Sequence, residues 1–514
     1  MLPGEQIRKI VIVGGGTAGW MAAAALKQHF RSLPVSVTVV ESSEIGTVGV
    51  GEATIPTIRR FYAGLGMRDW DVLDATEGTA KLGIRFNGWA GEGTSFLHPF
   101  GHFGQDVRGI GFHHYWLKLR AAGGDAGRME DYSLGASLAL GGRFTPPSPN
   151  PPSPMSLFDW ALHLDASLFA GHLRRFAEAA GCARIDSRIE KVHLRGSDGF
   201  IQSLSLANGE TVEGDLFIDC SGFRSLLLGD ALGVPFEDWS HWLLCDSAIA
   251  VQSQGTGSLP PYTSVTARRA GWQWHIPLQH RTGNGIVFSS RHIGEEDARA
   301  ELLGTVEGAL LTEPRRLGFT PGRRRQAWAK NCVALGLASG FLEPLESTSI
   351  ALIETGIERL KQLFPDRRFD PAVIDEYNEI SGEEMERVRD FIILHYKLNK
   401  RSGTFWEECR QMAVPETLAR KMQLFAARGH FVRYRWEMFA PASWLAIYAG
   451  FGHWPEGYDP GADALDGEYL RRSLAEMRRA VAGGVAEAPG HADFLARWRK
   501  VAEAELAAAA RRAG

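Results

Sequence analysis

Three glycines head the residues able to do chemistry. Gly14, Gly16 and Gly19 stand in Ile10-Val-Ile-Val-Gly-Gly-Gly-Thr-Ala-Gly19, a GxGxxG string that follows an apolar run and opens a helix. Gly14 permits the tight turn, Gly16 lets the backbone approach a pyrophosphate, and Gly19 lets helix and strand pack closely. The helix start, with Thr17 and Ala18 in its turn, supplies unpaired N–H groups and positive potential for phosphate. Glu41 follows Gly19 by 22 residues at the end of the next strand, where a carboxylate would accept bonds from an adenosine ribose. Asp215-Leu-Phe-Ile-Asp-Cys-Ser-Gly222 and Val333-Ala-Leu-Gly336-Leu-Ala-Ser-Gly340 are two further strands running into small-residue turns. Three such crossing points suit the long FAD molecule better than a nicotinamide site, although each later turn also reads as an ordinary α/β turn. In Gly271-Trp-Gln-Trp-His-Ile-Pro277, Trp272 and Trp274 project to one face of a strand that Pro277 ends or edges. Alone, that string is also consistent with a core aromatic pair.

The elements that must position these groups follow from periodicity. Lys9–Val13, Gly19–Phe30 and Ser36–Glu41 read as a βαβ unit. Residues 157–180 read as a helix with Leu157, Trp160, Ala161, Leu168, Leu173 and Phe176 on its apolar face. Gly199–Leu206 and Thr211–Asp219 read as strands, joined through Asn208-Gly209 as a hairpin turn. Residues 348–364 form a helix, and from about 370 onward the pattern is helical, ending in an alanine-rich helix over Glu503–Ala509 that frays at Arg511–Gly514. Residues 146–154, Pro-Pro-Ser-Pro-Asn-Pro-Pro-Ser-Pro, form a stiff extended loop. The fold class is α/β: a Rossmann-like module with additional β-sheet over 1–365, then a mainly helical module over 366–514.

Bulk properties narrow the partners. With 514 residues and 44% hydrophobic composition the chain can bury a large core. Fifty-six basic against 60 acidic side chains leaves a net charge of −4, which argues against nucleic acid or an anionic membrane as the main partner. No apolar run approaches the roughly 18 residues of a bilayer span, and Ile10–Val13 runs straight into glycines like a strand rather than a signal peptide. Five scattered cysteines with no CxxC pair indicate neither a zinc site nor a disulfide framework, as expected of a reduced, cytoplasmic protein. Fifteen tryptophans would serve a core, or a site built for flat aromatic ligands.

Taken together, the strings resemble the flavin-dependent tryptophan halogenases, which carry GxGxxG and WxWxIP motifs. The similarity runs from about residue 8 to about 500. It includes Gly49-Val-Gly-Glu-Ala-Thr-Ile-Pro56, Lys81-Leu-Gly-Ile-Arg-Phe-Asn-Gly-Trp89, Gly91-Glu-Gly-Thr94, His98-Pro-Phe-Gly101, Asp219-Cys-Ser-Gly-Phe-Arg224 and Glu343-Pro-Leu-Glu-Ser-Thr348, in the family's order. The resemblance implies a GR2-type FAD-binding module whose helical C-terminal part completes a substrate pocket. Ala53 and Gly336 join Gly14, Gly16, Thr17, Ala18, Gly19 and Glu41 as cofactor-binding positions. It further implies an enzyme that uses FADH2, O2 and a halide, chloride or bromide, to form hypohalous acid by way of a flavin hydroperoxide and to halogenate a small aromatic substrate. A separate flavin reductase would supply the FADH2, and the family leaves room for a homodimer; no metal is implied.

Residue roles carry over by the same resemblance. Lys81 would receive the oxidant, by hydrogen bond or as a haloamine; read without its flanking motif it is a surface lysine. Glu346 would polarise the oxidant or accept the ring proton; read alone it is a helix-start carboxylate. Thr348 and Ser349 occupy the halide-cradling positions, Ser349 standing where the family usually has Gly, with its backbone N–H retained. His98 and Phe100 would sandwich the ring, and Phe439 falls where the family has Trp. Trp272 and Trp274 would separate the flavin from the substrate chamber. The tryptophan-specific enzymes hold the amino-acid headgroup with a lid carrying a Tyr-Tyr doublet and a nearby Glu. This chain has no Tyr-Tyr, and its corresponding segment, Phe425 to Phe439, is shorter. An indole without the headgroup, or a bulkier indole-containing molecule, is therefore expected in place of free tryptophan. The competing reading is an FAD-dependent aromatic monooxygenase.

Overall fold

The computed structural model describes residues 5–45 and 51–500. Gly49 and Val50, and the helix expected over Glu503–Ala509 with its end at Arg511–Gly514, lie outside the described residues. The chain forms two compact units, each assembled from three stretches: 1–77, 164–246 and 318–386 in the first, and 78–163, 247–317 and 387–514 in the second. The units interleave along the sequence, whereas the helical pattern of the C-terminal part leads to an expected linear division at 365/366. Among the described residues no helix is long and apolar enough to cross a membrane.

The first unit is built on a six-stranded sheet ordered Trp328–Ala329, Cys332–Ala334, Leu216–Asp219, Lys9–Val13, Ser36–Glu41, Ala183–Asp186. All neighbours are parallel except the first pair, and Lys9 pairs with Ser36 while Ile10 pairs with Leu216. Central parallel strands are buried on both faces, so Ile10–Val13 and Leu216–Ile218 read as continuous apolar runs. Helix Thr17–His29 buries Gly19 through Leu26, four alanines among them, and packs against helices Ala166–Ala179 and Ser349–Gln362. A separate antiparallel sheet holds Ile189–Leu194, Ile201–Leu206 and Thr211–Glu213. Its hairpin turns at Asn208-Gly209, where Gly209 takes φ +86°.

Two expectations are corrected. Residues 211–219 are two strands, Thr211–Glu213 and Leu216–Asp219, in different sheets. They part at Gly214, where a β-carbon would come within 2.9 Å of both Phe217 and Val11. Residues 157–180 are not one helix: Ala161–Asp165 is a fully buried strand, and the helix spans Ala166–Ala179. The side chain of Asp165 accepts bonds from the amides of Ser167 and Leu168, so the N-cap fixes the helix start and places Leu157, Trp160 and Ala161 before it. A short buried apolar run carries no period that separates strand from helix.

The second unit holds a seven-stranded sheet ordered Arg315–Gly318, Ser247–Ser253, Thr282–Phe288, Gly271–Pro277, Thr263–Arg268, Gly83–Asn87, Ser95–Pro99. Thr263–Arg268 and Gly83–Asn87 pair in parallel; the other pairs with an assigned register are antiparallel. Helices Phe112–Ala121, Pro441–Gly450 and Gly467–Glu487 contribute to a core of Phe112, Tyr115, Trp116, Leu445, Ala446, Leu470 and Leu474. Helices Thr404–Gln411 and Glu416–Arg428 complete a largely helical C-terminal part.

Candidate active site

In the first unit the GxGxxG turn is shaped by backbone contact. Gly14 has φ +110°, and a β-carbon there would come within 2.2 Å of the Cys220 carbonyl oxygen. At Gly19 it would meet the Gly14 carbonyl oxygen at 1.8 Å. At Gly16 nothing lies within 4 Å, so the turn is open where a phosphate would approach. Helix Thr17–His29 has no side-chain cap and no acidic residue in its first turn, which leaves its amides and positive end to an anion. Gly336, at φ +63°, faces Ala18 closely enough that a β-carbon would sit 3.0 Å from the alanine methyl. Glu41 ends its strand beside Gly15, and its Oε1 accepts a bond from Arg184. These features fit a dinucleotide. Asp219 serves its own loop instead: Oδ1 accepts from Ser221, and Oδ2 from the amides of Leu227 and Leu228 at 2.8 and 2.9 Å.

Glu346, Thr348 and Ser349 also belong to the first unit. Glu346 is buried in the turn Pro344–Glu346, and Ser347 takes φ +59° before helix Ser349–Gln362 begins. Thr348 is the N-cap residue and fully buried, and among the described residues its Oγ1 has no hydrogen-bond partner. A buried hydroxyl at a helix start without an acidic first turn is a place an anion would complete. Ala53 ends the short strand Gly51–Ala53. Two carboxyls here were not singled out by the sequence: burial pushes Glu52 up to about 7 and Glu354 up to about 8, the latter against the pull of Thr57 and Arg60. A lone Glu in a short strand or on a helix gives no such signal.

The second unit holds Lys81, His98, Phe100, Phe439 and the tryptophan pair. Lys81 is 0% exposed, against the surface lysine its residue type suggests, and its ammonium lies 5.3 Å from the centroid of the Phe100 ring. His98 is buried in strand Ser95–Pro99, 5.8 Å from Phe391 and 6.2 Å from Phe439, centroid to centroid. Phe391 and Phe439 stack at 3.9 Å, so Phe391, which the sequence did not single out, joins the aromatic cluster around His98. Trp272 and Trp274 share a strand face, with centroids 6.1 Å apart. Gly285 lies opposite Trp274 because a β-carbon there would come within 2.0 Å of the indole ring. Lys81 and Glu346 fall in different units.

The segment corresponding to the lid has its own closed chemistry. Lys421, buried, donates to Glu437 and to the Val432 carbonyl at 2.6 Å, with its ammonium 4.3 Å from the Trp444 centroid. Burial holds the Lys421 pKa below its ordinary value, against the pull of Glu437. The other oxygen of Glu437 accepts from the Tyr434 amide at 3.1 Å.

Residues 9–467 match the sequence profile of the family described as Tryptophan halogenase. The chain belongs to the tryptophan halogenase family. Like other flavin-dependent halogenases it is an enzyme of flavin and halide chemistry, a class that acts on aromatic substrates and generally draws on a separate flavin reductase. It is 38% identical over 473 residues to a tryptophan 6-halogenase, SttH, from Streptomyces toxytricini, covering 86% of this chain and 89% of that one. Among solved structures it resembles the flavin-dependent halogenase BrvH from Brevundimonas sp. BAL3, with a TM-score of 0.93 and 66% identity over 96% of this chain and 99% of the other. A flavin-dependent halogenase from Xanthomonas campestris matches with a TM-score of 0.91 and 46% identity, over 96% and 98% of the two chains.

Proposed function

We propose that this halogenase takes reduced FAD from a separate reductase, with O2 and chloride or bromide, and halogenates an indole that lacks the amino-acid headgroup. Bound in the glycine turn, reduced FAD supplies two electrons to O2, so that with halide and a proton the products are oxidised FAD, hypohalous acid and water. Gly14, Gly16, Thr17, Ala18 and Gly19 hold the pyrophosphate, Glu41 the ribose, and Ala53 and Gly336 line the cofactor. Thr348 and Ser349 cradle the halide with the unspent Thr348 hydroxyl and first-turn amides. Lys81 receives the hypohalous acid. The carbon–halogen bond then forms as the halogen–oxygen bond breaks, a proton from the Lys81 ammonium carrying the hydroxide away as water; the ring carbon–hydrogen bond breaks next, and Glu346 accepts that proton. Trp272 and Trp274 keep the ring apart from the flavin, and His98, Phe100 and Phe439 hold it.

The observation that carries this reading is the fully buried Lys81 with its ammonium over Phe100, in the unit that also gathers His98 and Phe439. The substrate class rests on Glu437. It is the one carboxylate in Phe425–Phe439, and Lys421 and the Tyr434 amide already occupy it. An ammonium headgroup would find there no carboxylate whose charge is not already paired, and an unpaired buried charge is costly. Loose holding leaves ring reactivity to choose the position, which is C3 of indole. Indole and L-tryptophan at equal concentration, with FAD, reductase, NADH and halide, should give mainly 3-haloindole by NMR, and no product without reductase. Preferential conversion of tryptophan at one benzo-ring carbon would overturn the substrate assignment.

A further inference from the structure

Strand Thr79–Lys81, which carries the lysine, lies at the edge of its sheet. It pairs antiparallel with the strand holding His163, in the register Thr79 to His163, Ala80 to Leu162 and Lys81 to Ala161. Lys81 and Thr79 therefore share a face, with His163 directly across from Thr79. On the open side, among the described residues, no strand pairs with the Ala80 amide.

Donor counting fixes both histidines that meet this strand. Nε2 of His491 lies 3.2 Å from the Ala80 amide, which can only donate, so Nε2 carries no proton. Nδ1 of His491 lies 2.7 Å from the Leu259 carbonyl oxygen, which can only accept, so Nδ1 carries the proton. A second proton would set N–H against N–H and break the bond to Ala80. At His163, the single hydroxyl hydrogen of Thr79 goes to the Pro277 carbonyl at 2.8 Å. Nδ1 of His163, 2.9 Å from the same hydroxyl, must then donate to it. Nε2 is left to accept from the Thr263 hydroxyl at 3.0 Å. Pro277 ends the strand of Trp272 and Trp274, so this relay joins the lysine strand to theirs.

We propose that His163 and His491 are positioning residues for Lys81: two neutral imidazoles of fixed tautomer that hold its strand from the side-chain face and from the open edge. The inference rests on Lys81 being the residue that receives the oxidant. Both rings are buried, and neither adds a positive charge beside an ammonium that would repel it. Burial, reinforced by the charge of Lys81, holds His163 well below its ordinary range, and burial brings His491 down to about 4.

The test compares His491→Leu, which has no acceptor, with His491→Gln, whose amide presents an oxygen and an N–H at the same spacing. His491→Leu should lower kcat for indole about 10²-fold, the loss expected from misplacing a reacting group by about 1 Å. KM and FAD affinity should stay near wild type, and hypohalous acid caught by a trapping dye should rise as product falls. His491→Gln should recover activity to within about tenfold. Nitrogen-15 NMR of histidine-labelled protein at pH 7 should show both imidazoles neutral, with the proton on Nδ1. Wild-type kcat in His491→Leu would overturn the proposal. So would equal damage in both variants with product and trapped oxidant falling together, or either ring in the other tautomer or charged. If His491→Leu does not fold, Thr263→Val carries the kinetic test through His163, with the same expected pattern and the same overturning results. Continued halogenation by Lys81→Ala would sink the reading of the lysine instead, while leaving the NMR result intact.

Discussion

The two units build their sites from different materials. In the first, the proposed cofactor turn is backbone: two glycines whose β-carbons would strike carbonyl oxygens at 2.2 and 1.8 Å, one glycine left open, and an uncapped helix start. In the second, the proposed substrate site is side chains gathered from distant sequence: Lys81, His98, Phe391 and Phe439 come from two short strands, a long helix and a loop. Backbone sites demand that side chains be absent, and one added β-carbon destroys them. Side-chain sites demand that particular groups be present, and removing one leaves the rest standing.

That contrast can be broken by the largest expected effects. Gly19→Val must displace the Gly14 carbonyl and should abolish both FAD binding, measured by flavin fluorescence, and all product. Lys81→Ala should abolish product equally while FAD affinity and hypohalous acid formation remain. If Lys81→Ala lost FAD affinity, or Gly19→Val kept it, the separation of roles between the units would fail. Next in size, Glu346→Gln should slow turnover on the order of 10²-fold, as loss of a general acid–base group does. Single-turnover product formation checks it, with FAD affinity unchanged.

The same contrast explains what was legible in the sequence. The cofactor turn is written in one contiguous string, because local backbone shape depends on local residues, and strands Lys9–Val13 and Ser36–Glu41 fall where their patterns put them. Lys81 and His98 stand out only beside their flanking motifs, since nothing in a lone lysine foretells complete burial. Phe391 sits inside helix Pro371–Leu398 as one apolar residue among many. His163 was hidden by the reading of residues 157–180 as one helix; in the strand it occupies, it meets Thr79 across a sheet. His491 and Ala80 are 411 residues apart, and no pattern within the chain joins them. Glu437 reads as one acidic residue in a basic segment, and only the fold pairs it with Lys421.

The smallest predicted effect separates the units by pH. His113 and His491, brought down to about 4 by burial, and His163, held well below its ordinary range, all lie in the second unit. Such a histidine binds its proton more readily in the unfolded chain, so its share of stability is complete above pH ~6.5 and drains away as pH falls toward 4. At about 1.4 kcal/mol for each pKa unit, each fully buried ring accounts for roughly 2 kcal/mol by pH ~5. The first unit has the opposite sign. Burial raises Glu52 to about 7, Glu354 to about 8, and Glu384 in the same direction. Glu52 and Glu354 keep their protons in the fold at a pH where the unfolded chain releases them, so their share of stability is greatest below pH ~4.5 and is lost as pH rises through 7 to 8; Glu384, paired with Arg359, adds to this only in direction. The first unit's own lowered histidines, the exposed His29 and the half-buried His172, oppose this weakly. Amide hydrogen exchange of the FAD-free protein, corrected for intrinsic rates, should lose protection at pH 5 first in Ser95–Pro99 and Gly271–Pro277. At pH 8 it should be lost first in Thr57–Gly64 and Ser349–Gln362. Glu354→Gln should flatten the alkaline loss and His491→Gln the acid loss, each in its own unit. If protection instead falls in both units together at one pH, they unfold as one cooperative body, and the division of labour between backbone and side chains is not a division of stability.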